Sequence, residues 1–169
     1  MRIYLIGYMG CGKTTMGRKL ASQLSISFID MDNYIQNRYF KSISDIFSDE
    51  GEESFRKKER DCLMEISEME DVVVSTGGGA PCFFDNIDLM NNTGICIFLD
   101  VKPEILAARL RDSHTVRPLI QQKKGEELIS HINDMLQKRF PFYNKASYRF
   151  SGDDITVEKI IQTLHLNDK

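Results

Sequence analysis

Tryptophan is absent from this 169-residue chain, prolines number only 4, and no apolar run approaches the ~18 residues that a bilayer-crossing helix needs. A membrane-spanning helix is therefore not expected. The start of the chain does not resemble an export signal, because "IYLIG" leads directly into glycine, lysine and threonine with no small-residue cleavage site. A cytoplasmic location is expected. Cys11, Cys62, Cys82 and Cys96 are widely spaced and form no CxxC pair, which argues against a zinc site or a disulfide framework. His114, His131 and His165 are scattered as well and suit solvated or packed roles. The formal charge is only −3 and the cations are dispersed among acids, so no basic block points to a nucleic-acid surface.

The residues present suffice for a single core. Short apolar runs recur at Arg2 to Gly7, Ile26 to Asp30, Val72 to Ser75, Ile95 to Asp100 and, more weakly, Tyr148 to Phe150, and these read as strands. Segments of helical period separate them, for example Phe55, Cys62, Leu63 and Ile66, or Leu128, Ile129, Ile132, Met135 and Leu136. Strand and helix in alternation predict right-handed crossovers and a parallel sheet covered on both faces. Pro103 and Glu104 suit the first turn of a helix, and Val157, Ile160, Ile161 and Leu164 give a closing helix one apolar stripe. The stretch "RDSHTVRPLIQQKKG", Arg111 to Gly125, is polar and cationic between two helices, and a loop that long in a compact domain is usually functional or mobile.

"GYMGCGKTT", residues 7 to 15, matches G-x-x-x-x-G-K-[ST] through Gly7, Gly12, Lys13 and Thr14, with Gly10 inside the loop. Those fixed positions coincide by chance in about one chain per hundred of this length. The motif also follows a strand and opens a helix running through Met16, Leu20 and Leu24, as phosphate cradling requires. Glycines let successive N–H groups turn inward on a polyphosphate, the helix N-terminus adds partial positive charge, Lys13 supplies a full charge and the Thr14 hydroxyl suits Mg²⁺. A nucleotide site is predicted.

Candidate acceptor residues lie at the ends of later strands. "FIDMDNYI" places Asp30 and Asp32 after the second strand, where parallel sheets collect ligands, and on an extended chain the two would face opposite sides. The same pattern also suits helix capping. "VVVSTGGGA" ends the third strand with Gly77, Gly78 and Gly79, each costing about 0.5–1 kcal/mol relative to alanine, which suggests a close approach of something to the backbone. Arg56, Arg117 and Arg139 add guanidinium groups fitted to carboxylate or phosphate forks.

In order and spacing, the phosphate loop, DxD, "IFSDEGEESFRKKE", "STGGGA", "RPLI" and "RFPFYNKA" resemble the shikimate kinases, small P-loop kinases of aromatic amino-acid biosynthesis, over nearly the whole chain. The resemblance implies a three-layer α/β/α P-loop NTPase fold. It further implies a five-stranded parallel sheet, a single domain over 1–169, a substrate-binding helical segment and a lid at approximately 111–125. The implied reaction is ATP-dependent phosphorylation of shikimate on its 3-hydroxyl, with Mg²⁺, and a monomer without nucleic-acid or membrane partners is expected. Carried onto matching positions, the pattern makes Gly10, Cys11, Gly12, Lys13, Thr14 and Thr15 the nucleotide loop, with Thr14 and Asp30 at the metal. Asp32, Arg56, Gly78, Gly79 and Arg139 would bind shikimate, Arg117 would close from the lid onto phosphate, and Lys13, Asp32 and Arg117 form the implied catalytic set. Asp32 either orients the attacking hydroxyl or also accepts its proton. Arg109 and Arg111 are both candidates for an adenine contact, and "SGDDI" stands where some relatives carry a basic residue. A kinase acting on gluconate, a nucleotide switch and an inactive kinase are the competing classes. The switch lacks an NKxD-like sequence, and intact Lys13, Thr14, Asp32 and Arg117 weigh against inactivity.

Overall fold

The computed structural model describes residues 1–112, 125–152 and 155–166. Its centre is strand β1, Arg2–Ile6, whose residues Ile3 to Ile6 are wholly buried. β1 leads through the glycine loop into helix α1, Lys13–Leu24. Then follow β2 (Ser27–Asp30), α2 (Met31–Tyr39), α3 (Ile43–Ser67) and β3 (Val72–Ser75). A single 3₁₀ turn, Ala80–Cys82, precedes α4 (Asn86–Thr93) and β4 (Ile95–Asp100). The chain closes with α5 (Pro103–Asp112), α6 (Gly125–Tyr143), β5 (Tyr148–Ser151) and α7 (Val157–Thr163).

The five strands are parallel in the order β2-β3-β1-β4-β5. The fold is therefore the expected α/β arrangement. Central strands buried on both faces need continuous apolar runs, and β1, β3 and β4 supply them, whereas edge strands β2 and β5 keep exposed positions. From β1 the chain first builds the β3–β2 side and later crosses to β4. The carboxyl end of β1 is thus the point where the winding reverses, the place at which open α/β sheets leave a crevice for ligand.

Two local details differ from the sequence expectation. Asp30 does end β2, but helix α2 begins at Met31, so Asp32 sits in a helical first turn and not on an extended chain. Capping explains the early turn: the Asp30 carboxylate accepts the Asn33 N–H at 3.3 Å. Arg111 and Asp112 belong to α5 and Gly125 to α6, so the anticipated lid loop is narrower than 111–125. Its remaining residues, with Arg117, lie outside the described residues.

At the opposite end of the sheet, Arg2 ties elements together. Its Nε donates to the Met69 carbonyl at 2.7 Å, Nη2 donates to the same oxygen, and Nη1 donates to the Thr93 carbonyl. Thr93 is the last residue of α4, so there the cation meets both a missing hydrogen bond and the negative end of the helix, while the bonds to Met69 hold the segment that follows α3. Gly94 permits this approach, because a Cβ there would lie 2.6 Å from the Arg2 carbonyl oxygen. Gly94→Ala should cost about 1–3 kcal/mol through overpacking against the β1 backbone, read as a lower urea midpoint; an unchanged midpoint would contradict this tight β1–β4 junction.

Candidate functional site

Gly10 and Gly12 adopt φ of 82° and 98°, a region that side-chain-bearing residues seldom enter, and Gly12 is the N-cap from which α1 departs. These turns set the first turn of α1 at the wall of a cavity of about 1100 Å³, and the first amides of a helix have no intrahelical partner. Gly10, Cys11, Gly12, Lys13, Thr14 and Thr15 all line it, joined by Asp30, Asp32 and Gly78. The Lys13 ammonium, nearly buried, donates to the carbonyls of Gly7 at 2.8 Å and Tyr8 at 3.0 Å, so it is held along its own loop. The Thr14 hydroxyl donates to Asp30 at 2.9 Å and stands 3.4 Å from the Ser75 hydroxyl. Asp30 therefore serves two elements, accepting from Thr14 of α1 and capping α2.

The glycine turn after β3 packs directly against this loop. A Cβ at Gly78 would fall 3.3 Å from the Gly7 carbonyl oxygen, 3.4 Å from the Met9 nitrogen and 3.2 Å from Arg139 Nη1. One at Gly79 would meet both terminal nitrogens of Arg56 at 2.9 Å. Beside Gly77 the corresponding point is 3.2 Å from Asp32 Oδ1 and 3.1 Å from Glu59 Oε1. The turn thus brings Asp32, Arg56 and Arg139 together from three different helices, a convergence for which side-chain-free backbone leaves room.

Each arginine is oriented by different chemistry. Arg56 bonds Glu59 at 2.8 Å and Glu52 at 3.1 Å, and its guanidinium lies 3.9 Å from the centroid of the Phe83 ring. Arg139 lies 5.1 Å from the Tyr8 ring centroid and donates to the Tyr143 hydroxyl at 3.4 Å. Of the two adenine candidates, Arg109 lines the cavity and donates to the carbonyls of Gly10 and Cys11, each at 3.3 Å. Arg111 is an exposed residue near the end of the same helix, two positions on and hence on another face. Arg117 lies outside the described residues.

Glu59, Tyr8 and Tyr143 did not emerge from the sequence. Glu59 carried one usable signal, its i+3 spacing from Arg56 on a helix; Tyr8 and Tyr143 lie within the motifs "GYMGCGKTT" and "RFPFYNKA" with no spacing that marks them. Burial raises the Glu59 pKa, and the Arg56 charge opposes that rise.

A profile of the shikimate kinase family matches residues 9–167. The shikimate kinase of Bacteroides fragilis is 50% identical over 163 residues, 96% of this chain and 91% of that protein. The chain belongs to the shikimate kinase family. Solved members of the family share its fold. The 1.7 Å crystal structure of shikimate kinase from Bacteroides thetaiotaomicron superposes with a TM-score of 0.89 at 46% identity, covering 98% of this chain and 97% of that one. Shikimate kinase from Acinetobacter baumannii, solved in complex with shikimate, gives 0.87 at 34% identity, covering 99% and 94%.

Within this family member, the Arg56–Glu59 pair is the most deeply buried ion pair of the described site. Removing one partner strands the other's charge. Glu59→Ala should lose on the order of 3 kcal/mol, with Arg56 drawn toward Glu52. Thermal melting measures it, and a melting temperature equal to the parent's would mean that Glu52 alone suffices to hold Arg56.

Proposed function

We propose that this chain transfers the γ-phosphoryl group of ATP to the 3-hydroxyl of shikimate, yielding shikimate 3-phosphate for aromatic amino-acid biosynthesis. The observation that carries this is the meeting of Arg56 and Arg139 on adjacent glycines of a turn that itself abuts the phosphate loop. Paired guanidinium groups match a carboxylate, and Gly78, beside Arg139, lines the same cavity as Lys13 and Thr14, which would bring an acidic alcohol beside a triphosphate. Family membership supports the same substrate.

The reaction is an in-line displacement. The 3-hydroxyl oxygen forms a bond to the γ-phosphorus while the bond to the β–γ bridging oxygen breaks, and ADP departs with that electron pair. Asp32 orients the hydroxyl or also takes its proton, and a loose transition state demands little of a base. The loop amides and Lys13 meet charge on the β and γ oxygens, and Arg117 adds a cation from the lid. Because the phosphate loop and Lys13 are held before the reactants arrive, rate comes mainly from positioning and charge neutralisation.

Mg²⁺ fits the donors present. Thr14 and Asp30 are hard oxygen ligands within a hydrogen bond of each other, too few for an all-protein cage and suited to an ion that keeps waters and phosphate oxygens. Thr14 would hold it directly and Asp30 through water. When bound, the ion neutralises charge shared by the β and γ phosphates. The enzyme is taken to act in the cytoplasm as a monomer, on ATP and shikimate and without nucleic acid or membrane, in keeping with its dispersed charge. No helix among the described residues is long and apolar enough to cross a membrane.

A coupled assay of ADP release with Mg-ATP should show turnover with shikimate and little with gluconate; the reverse preference would refute the assignment. Arg139→Ala should weaken shikimate binding by about 10–100-fold, the loss of one charge-assisted bond to carboxylate, and native affinity in calorimetry would remove Arg139 from the clamp. Arg117→Ala should instead lower kcat by at least about 100-fold with little change in shikimate affinity, since its charge acts on the transferring group. Unchanged turnover would end the lid role given to Arg117.

A further inference from the structure

Arg139 and Tyr143 are four residues apart on α6, so their side chains leave the same face of the helix. The Tyr143 ring is fully buried, 4.9 Å from the Phe98 ring between centroids. Its hydroxyl is the polar tip of a core side chain. That hydroxyl donates to the Gly78 carbonyl at 2.5 Å and accepts from Arg139 Nη1 at 3.4 Å. The directions are fixed by inventory, since a phenol has one proton and a guanidinium has only donors. Burial raises the phenol's pKa well above its ordinary value against the opposing Arg139 charge, so the group remains a donor across any assay range.

The Gly78 carbonyl and the Gly79 N–H are two ends of one planar peptide and, when it is trans, point in opposite directions. No cis peptide occurs among the described residues. A hydroxyl that holds the carbonyl therefore also sets the heading of the Gly79 amide. Glycine at both positions leaves this peptide free to rotate unless something outside it supplies the constraint. On its other side Arg139 rests on the Tyr8 ring, which orients the guanidinium without neutralising it.

We infer that Tyr143 is a positioning residue for shikimate, its hydroxyl locking the Gly78–Gly79 peptide and the Arg139 guanidinium into one arrangement that receives the carboxylate end of the substrate. This rests on the function proposed above.

Tyr143→Phe removes only the hydroxyl and keeps the ring in the core. It should raise the shikimate KM roughly tenfold, the consequence of losing a bond to a charged group and freeing a backbone carbonyl, while the ATP KM moves less than twofold. Tyr4→Phe is the control, for Tyr4 is equally buried and its hydroxyl, 3.0 Å from Thr93 Oγ1, lies away from the glycine turn. It should cost stability and leave both KM values unchanged. Replacing Tyr143 with p-aminophenylalanine, which restores a donor at the same place, should recover most of the shikimate KM and serves also if the phenylalanine variant folds poorly. An unchanged shikimate KM in Tyr143→Phe, an equal rise in Tyr4→Phe, or no recovery with the amino analogue would each overturn the inference. Arg139→Ala separates the levels: if it raises the shikimate KM and Tyr143→Phe does not, only the Tyr143 role falls, and if Arg139→Ala has no effect, the clamp and this inference fall together.

Discussion

A polyphosphate can be met by main-chain amides only where those amides are not already spent on a helix or a sheet ladder, and the first turn of α1 is such a place. Everything else at the site is arranged around keeping that turn open. A buried central strand must end abruptly, the chain must pass through left-handed backbone at Gly10 and Gly12, and the helix must start with the lysine itself. The sheet order then decides what stands opposite. Because the winding reverses at β1, its neighbour β3 delivers the next turn to the same end of the sheet, and the glycine turn that follows packs on the phosphate loop at Gly7 and Met9.

That contact makes the two halves of the site mechanically one. Gly78 touches loop backbone on one side and the Arg139 guanidinium on another, so a displacement of the loop is felt where an acidic acceptor would dock. The two arginines are held in ways suited to different duties. Arg56 is bracketed by Glu52 and Glu59 and lies on Phe83, an arrangement that fixes its position at the expense of much of its free charge. Arg139 rests on an aromatic face and a phenol, which hold it while leaving its charge for a ligand. In the clamp proposed above, Arg139 would supply the freer charge to a carboxylate and Arg56 the more fixed position.

Much of this was legible in the sequence. Buried parallel strands must be continuous apolar runs, and the third and fourth were delimited to the residue, at Val72 to Ser75 and Ile95 to Asp100. The phosphate loop was legible because close approach to phosphate restricts residue type at fixed spacing. The position of Asp32 was not, since the end of β2 depends on a capping bond by Asp30 whose alternatives look identical in sequence. Nor could spacing choose between Arg109 and Arg111, because the choice depends on which face of α5 turns to the loop. Tyr143 was hidden for a related reason: its partner is 65 residues away, and a bond of that separation leaves no period to read.

Tyr143 also explains why stability and function are difficult to separate in this region. Its ring belongs to the core with Phe98, and its hydroxyl belongs to the glycine turn. Truncating the ring would open a cavity worth about 3–5 kcal/mol and disorder the turn in the same stroke. Only the oxygen distinguishes the two roles. The site is thus supported from the hydrophobic interior outward, through a single polar atom at the tip of a buried side chain, and the geometry offered to the substrate inherits the rigidity of the packing beneath it.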